Sequence, residues 1–130
     1  MRKRARPWLR KAEADRIAAQ RLHESDDGIH DVVCFHCQQC AEKYLKALLA
    51  DADDEIPRTH NLDDLLDLLE ERYPKLCKFR RGLLFLTDLA VHTRYPGRAA
   101  SKRQAVAALR WMNKIRAHCR ALLGLEKLVQ

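Results

Sequence analysis

The fold is decided by one stretch of the chain, residues 31–51, whose sequence is DVVCFHCQQCAEKYLKALLAD. It contains neither glycine nor proline, and its apolar residues recur with the period of an α-helix. These apolar side chains cover about 240° of the helix circumference, which is more than an amphipathic surface helix needs. We therefore predict a helix from Asp31 to Asp51 at the centre of the molecule, with other helices packed around it.

Four more amphipathic helices are predicted on either side of this central one. Their expected bounds are Pro7 to His23, Leu62 to Arg72, Lys75 to Arg94, and Ser101 to Gly124. Asn61 is a good N-cap for the short third helix, Pro96 ends the fourth, and Ser101 with Gln104 forms a capping box for the fifth. Short connections between long helices predict an all-α, antiparallel up-and-down bundle of four long helices and one short one.

The length of 130 residues and the 47% apolar content fit one compact domain. The formal charge is +7, but six basic residues without an acid lie between Arg2 and Lys11, and residues 12–130 hold 19 basic and 18 acidic side chains. We therefore expect a frayed, solubilising basic arm at residues 1–6 and a single helical domain at residues 7–130. The arm by itself predicts only weak nucleic-acid affinity at low salt.

The five cysteines are odd in number and do not frame the chain as a disulfide scaffold would. No apolar signal region follows the basic start, and no stretch is long enough to cross a bilayer. These features favour a soluble protein in the reducing cytoplasm.

Cys34, Cys37 and Cys40, flanked by His30 and His36, suggest at first a zinc or iron–sulfur site. At about 100° per residue, however, the three sulfurs spread over about 120° of the central helix, inside its apolar arc, and cannot converge on one ion. We therefore interpret the cysteines as packing residues, and we predict neither a metal site nor a cofactor.

Arg94 continues the apolar stripe of the fourth helix with a guanidinium, and a cation in that position needs a partner. One interpretation is a structural ion pair, for example with Asp15 on the inward stripe of the first helix. The other is a phosphate-binding edge, because a bidentate guanidinium beside the ring of Tyr95 suits a nucleotide or a nucleic-acid backbone. The residues alone leave both interpretations open.

Two further polar groups are predicted on helix surfaces, where solvation is the default explanation. The first is an edge of the central helix with Gln39, Glu42, Lys43 and Lys46, and with His36 on the same side. The second is a basic stripe of Arg103, Arg110 and Lys114 on the fifth helix, which faces either phosphates or water.

Three motifs follow one another along the chain: FHCQQCAEKYLKALL at residues 35–49, THNL at 59–62 and RYPG at 94–97. In this order they resemble the signature of the HEPN domain family, and the resemblance extends from Trp8 to Gly124. It implies an up-and-down bundle, frequent homodimerisation, and association with a minimal nucleotidyltransferase in toxin–antitoxin-like systems.

Many members of that family are also metal-independent RNases, which use an arginine followed after four to six residues by a histidine. This sequence departs from that pattern, because Ala99, Ala100 and Ser101 stand where the histidine would follow Arg94. We therefore expect a nucleotide- or RNA-associated binding module whose site contains Arg94, Tyr95, Gln39, Lys43 and Lys46. One alternative is an RNase toxin in which His92 or His23 transfers the proton. The other is a purely structural dimeric interaction module.

Overall fold

The computed structural model describes residues 1–126, and within that range it contains helices and no strand. The last four residues of the predicted domain, 127–130, lie outside the described residues. The helices are α1 (Ala5–Glu24), α2 (His30–Asp51), α3 (Leu62–Leu69), a 3₁₀ helix (Pro74–Phe79), α4 (Arg80–His92) and α5 (Lys102–Leu122). The predicted all-α bundle is confirmed. In the described part of the chain, no helix is both long enough and apolar enough to cross a membrane.

Helix α2 lies at the centre, as its sequence predicts. It packs against α1, α3, α4 and α5, and most of its residues from Val33 to Ala50 are buried. Even Gln38, Glu42 and Lys46 are excluded from water. Of the polar edge that the sequence suggested as a solvated surface, Glu42 and Lys46 are therefore buried, whereas Gln39 and Lys43 are partly exposed.

The predicted fourth helix is divided in the structure. Residues 74–79 form the 3₁₀ helix, and α4 proper ends at His92, so that Arg94 lies in the following turn. Gly82 allows α4 to approach α5 closely, because a Cβ atom there would lie 2.2 Å from the ring of Trp111. The expectation that Arg94 continues a buried stripe is therefore wrong, since the helix ends before reaching it.

The basic arm is anchored to the bundle. Helix α1 begins at Ala5, which is fully buried, two residues before the predicted start. The Arg2 backbone N–H donates to Asp51 Oδ1 at 2.6 Å, and Arg4 Nη1 lies 2.7 Å from Asp53 Oδ1. The expectation of a frayed arm is therefore wrong for these residues, because acids at the end of α2 attract them.

A second ionic contact joins α1 to α5 and was not visible in the sequence. Arg116 donates from Nε and Nη2 to both oxygens of Glu13, each at 2.8 Å, and the Tyr44 hydroxyl donates to Glu13 Oε2 at 2.5 Å. Burial alone would raise the pKa of Glu13, but the hydrogen bonds from Arg116 and Tyr44 lower that pKa to about 2. The ionised carboxylate therefore stabilises the packing of three helices.

This contact predicts acid sensitivity. The folded pKa of Glu13 lies below its ordinary value of 4.5, so its contribution is complete above that pH and is lost as the pH falls towards 2. Glu13→Gln should lower the free energy of unfolding by about 2 kcal/mol at neutral pH. Urea titrations across this range should show the difference between wild type and variant vanish near pH 2. A difference that is constant with pH would contradict the assignment.

The cysteines predict a second measurable property. Cys34, Cys37, Cys40 and Cys119 are buried in the core, as the packing interpretation expects, whereas Cys77 is partly exposed. Burial raises the pKa of Cys34 to about 11 and that of Cys119 to about 12, so these thiols stay protonated. In the native protein, a thiol-specific reagent should modify one cysteine rapidly, and Cys77→Ser should remove that reaction. In urea, the other four cysteines should become exposed and react with the reagent as well.

Candidate functional site

Arg94 lies in the turn after α4, where its side chain is exposed and makes no hydrogen bond or ion pair with any residue of 1–126. It borders a shallow cavity of about 200 Å³ between α2, the start of α3 and α4. We call this cavity the Arg94 groove, and its lining consists of Gln38, His60, Asn61, Thr87, Ala90, Val91 and Arg94. Arg94 also borders a second depression of similar volume, about 190 Å³, that includes Asp31, Val32 and Phe35.

The turn that carries Arg94 is held by specific contacts. Gly97 adopts a φ of +84°, a left-handed conformation that glycine tolerates, and the Arg98 N–H donates to Tyr95 O at 3.2 Å. The chain then returns to α2, where the Ala100 N–H donates to Asp31 Oδ1 at 2.6 Å. These contacts fix the backbone of the turn on both sides of Arg94.

The structural ion pair considered for Arg94 does not form. Asp15 instead bonds two residues of α2, with His36 Nδ1 at 2.8 Å from Oδ1 and Lys43 Nζ at 2.5 Å from Oδ2. Both carboxylate oxygens of Asp15 are already bonded to these two side chains, and Asp15 does not pair with Arg94. Of the two interpretations left open by the sequence, the pairing with Asp15 is wrong.

The other predicted ligand residues of α2 do not line the Arg94 groove. Lys46 Nζ donates to Glu42 Oε2 at 3.2 Å and lies 5.5 Å from the centre of the Trp8 ring, so it is buried under α1. Lys43 is bonded to Asp15, and Gln39 donates to Gln38 Oε1 at 2.8 Å. The α2 residue that does reach the groove is Gln38, which the sequence analysis did not select.

His60 lines the Arg94 groove, and sequence reasoning did not select it. Its ring is 70% exposed, and its Nδ1 lies 3.0 Å from Oε1 of Glu42, whose side chain is only 4% exposed. The Gln38 amide donates to the His60 carbonyl oxygen at 2.9 Å. Both the ring and the backbone of His60 are thus fixed at the edge of the Arg94 groove. The signal available in the sequence was a histidine directly before the N-cap residue Asn61.

Tyr95 and the two candidate proton-transfer histidines lie elsewhere. Tyr95 is 62% exposed and shares a second surface depression with Val91, His92 and Arg98. His92 Nδ1 lies 3.1 Å from Arg98 Nη1, beside an open cleft of about 360 Å³. His23 is near the end of α1, where it makes no side-chain hydrogen bond with residues 1–126. The structure therefore places Arg94 and His60 at the same groove, whereas His23 lies in the last turn of α1 and does not line that groove.

The turn after α4 and helix α5 are rich in cations. From Leu89 to Leu125 the sequence contains eight lysines and arginines and no acid. Arg116 and Arg120 pair with Glu13 and Glu126. The other six cations are exposed and make no ion pair with residues 1–126; they are Arg94, Arg98, Lys102, Arg103, Arg110 and Lys114. The basic stripe predicted on the fifth helix is therefore continuous in sequence with the Arg94 turn.

This fold and these motifs define the class of protein. The HEPN domain model matches residues 5–122, and the chain belongs to the HEPN domain family. Two solved structures are similar to it. One is TT1696 from Thermus thermophilus, with a TM-score of 0.80 and 25% identity, covering 92% of this chain and 98% of that one. The other is ST0689, an archaeal HEPN homologue, with a TM-score of 0.76 and 25% identity, covering 94% and 99%. No curated protein matches the chain.

Arg94 has no partner among residues 1–126, and we therefore predict that this side chain contributes little to stability. Arg94→Ala should change the free energy of unfolding by no more than about 0.5 kcal/mol. Arg116→Ala, which removes a partly buried partner of Glu13, should cost about 2 kcal/mol and serves as the control. Chemical denaturation measures both changes. A loss of about 3–5 kcal/mol in Arg94→Ala would instead indicate a structural ion pair.

Proposed function

We propose that this protein is a nucleotide- or RNA-associated binding module and that its main ligand is the phosphate backbone of RNA. The observation that carries the proposal is Arg94, an exposed guanidinium without a partner in residues 1–126, held in a fixed turn at the edge of a groove. Guanidinium groups bind phosphate oxygens through two parallel hydrogen bonds, and a fixed backbone lowers the entropic cost of that contact.

The surroundings of Arg94 favour a strand over a free mononucleotide. The six exposed cations of the turn and α5 offer more phosphate contacts than one nucleotide needs. Two exposed aromatic rings accompany these cations: Tyr95 in the depression that it shares with Arg98, and Phe35 in the depression that adjoins Arg94. Aromatic rings stack on unpaired bases, so that single-stranded RNA is the polymer that uses both features.

We also propose homodimerisation, which the resemblance to the family implies. Val32, Phe35, Val91 and Tyr95 are exposed apolar residues around Arg94, and a two-fold contact uses the same patch on both copies. Such a contact would bring two grooves together. A nucleotidyltransferase partner and a toxin–antitoxin-like role belong to the same proposal, and they rest on the family resemblance alone.

Binding should depend on Arg94 more than on other exposed arginines. Arg94→Ala should weaken the affinity for a fluorescent single-stranded RNA at least tenfold in anisotropy titrations, and Arg94→Lys should recover only part of it, because lysine lacks the bidentate geometry. Arg81→Ala is the matched control, since Arg81 is exposed, unpaired within residues 1–126 and distant in sequence from the groove-forming turn.

Salt dependence checks the same proposal. The logarithm of the affinity should fall linearly with the logarithm of the salt concentration. Arg94→Ala should reduce the steepness of that line by the amount expected for about one lost phosphate contact. Duplex RNA should bind more weakly than a single strand. If the variants and the control bind equally, the groove is not the binding site. If wild type does not bind RNA or nucleotides at all, the structural interaction module is the correct alternative.

A further inference from the structure

We propose that the open cleft beside His92 binds a guanine base of single-stranded RNA, with the Asp88 carboxylate on one edge of the base and the Arg98 guanidinium on another. We call this cleft, between α4 and the start of α5, the Asp88 cleft. It shares no lining residue with the Arg94 groove. The inference rests on the proposed RNA binding and goes beyond it by naming the base that is selected and the place where that base lies.

The Asp88 cleft has the size and the lining of a small-ligand site. Its volume of about 360 Å³ lies at the lower end of the range of about 300–1,000 Å³ that is typical of such sites. Phe85, which is half-buried, and Leu89, which is buried, form an apolar wall, and the rim carries Asp88, Arg98 and Gln104. An apolar wall with a polar rim suits a flat heteroaromatic ring, which forms hydrogen bonds only at its edges.

The polar groups of the rim have hydrogen-bonding capacity to spare. Asp88 is exposed and makes no side-chain hydrogen bond or ion pair with residues 1–126, so both of its oxygens can accept. Arg98 Nη1 donates to His92 Nδ1 at 3.1 Å, which positions the guanidinium and leaves Nε and Nη2 free. Gln104 Oε1 accepts from the Ser101 N–H at 2.9 Å in the capping box, which leaves its Nε2 free to donate. The cleft therefore offers a pair of acceptors together with several donors.

Guanine is the base whose edges match this set. Its N1–H and its N2 amino group are neighbouring donors, and they can bind both oxygens of one carboxylate in parallel. Its O6 and N7 atoms are neighbouring acceptors, and they can bind a guanidinium in the same bidentate way. Adenine and cytosine place an acceptor beside their amino group, and uracil places its one N–H between two carbonyl oxygens. A carboxylate can therefore form the parallel pair with guanine but not with the other three bases.

The Asp88 cleft is continuous with the surface proposed for the strand. His92 and Arg98 line both the cleft and the depression that holds Tyr95. Thr93 lines both the cleft and the second depression that Arg94 borders. A strand with one phosphate on Arg94 can therefore place a neighbouring base in the cleft. An exposed acid at this position weakens the binding of phosphates, whereas it strengthens the binding of a base that offers two donors.

The experiment measures the affinity of the purified protein for a fluorescent oligouridine that carries one other nucleotide at its centre. The central nucleotide is guanosine, adenosine, inosine or 7-deazaguanosine. Wild type should bind the guanosine RNA about tenfold more tightly than the adenosine RNA. Inosine lacks the N2 amino group and should lose most of this preference, because only one hydrogen bond to Asp88 remains. 7-Deazaguanosine lacks N7 and should lose part of it, because Arg98 then binds O6 alone.

Asp88→Asn is the main variant, because the amide keeps the size of the side chain but has only one acceptor. We expect its preference for guanosine over adenosine to fall to about twofold or less. Replacement of guanosine by inosine should then have no further effect, whereas 7-deazaguanosine should still weaken binding. Asp27→Asn is the matched control, since Asp27 is exposed, makes no ion pair with residues 1–126 and does not line the cleft. It removes the same charge and should keep the wild-type preference.

The ratio of two affinities is the quantity that decides, because it cancels any general gain in RNA binding from the loss of a negative charge. Equal affinity of wild type for all four RNAs, with binding still dependent on Arg94, overturns the guanine inference and leaves the RNA-binding proposal intact. A preference for guanosine that is unchanged in Asp88→Asn also overturns it. If wild type binds none of these RNAs, both proposals are wrong. The nucleotide series on wild type does not depend on the folding of any variant.

Discussion

The structure depends on the burial of α2 on nearly all sides. A helix so enclosed cannot leave charges unpaired, since an isolated buried charge is far more costly than a paired one. Lys43 is therefore matched by Asp15 of α1, and Lys46 by Glu42 within α2. Each acid has one oxygen left for a histidine, His36 in the first case and His60 in the second. The requirement for charge balance in the core thus also orients two imidazole rings at its edge.

The helices could be predicted because their signals are local. Periodic apolar residues, the Asn61 cap and the Ser101–Gln104 capping box each act within a few residues, and the structure contains both caps. The partners of charged residues could not be predicted in the same way. Pairs such as Glu13 with Arg116 span 103 residues, and they depend on how the helices are rotated against one another. A helical period fixes which face a residue occupies, but not which residue it meets.

The same contrast between predictable local features and unpredictable long-range contacts holds for the candidate site. Arg94 and Tyr95 were selected from sequence, and the structure places Arg94 at a groove, although the early end of α4 moves it from a buried stripe to an exposed turn. Lys43 and Lys46 were predicted on a solvated edge with cations available to a ligand, but Lys43 pairs with Asp15 of α1 and Lys46 is buried beside Trp8 of α1. His60 was quoted only as part of a motif, because its significance comes from Glu42, eighteen residues away.

The acid-free segment from Leu89 to Leu125 has a counterpart elsewhere in the chain. Residues 51–71 hold nine acids and one arginine, and they include α3, which does not contact α5 because α2 and α4 lie between them. Several of those acids are paired with arginines from outside that segment, Arg4, Arg72 and Arg80, whereas six cations between Leu89 and Leu125 make no ion pair with residues 1–126. Unpaired surface cations attract a polyanion before contact, and this long-range attraction raises the rate of encounter.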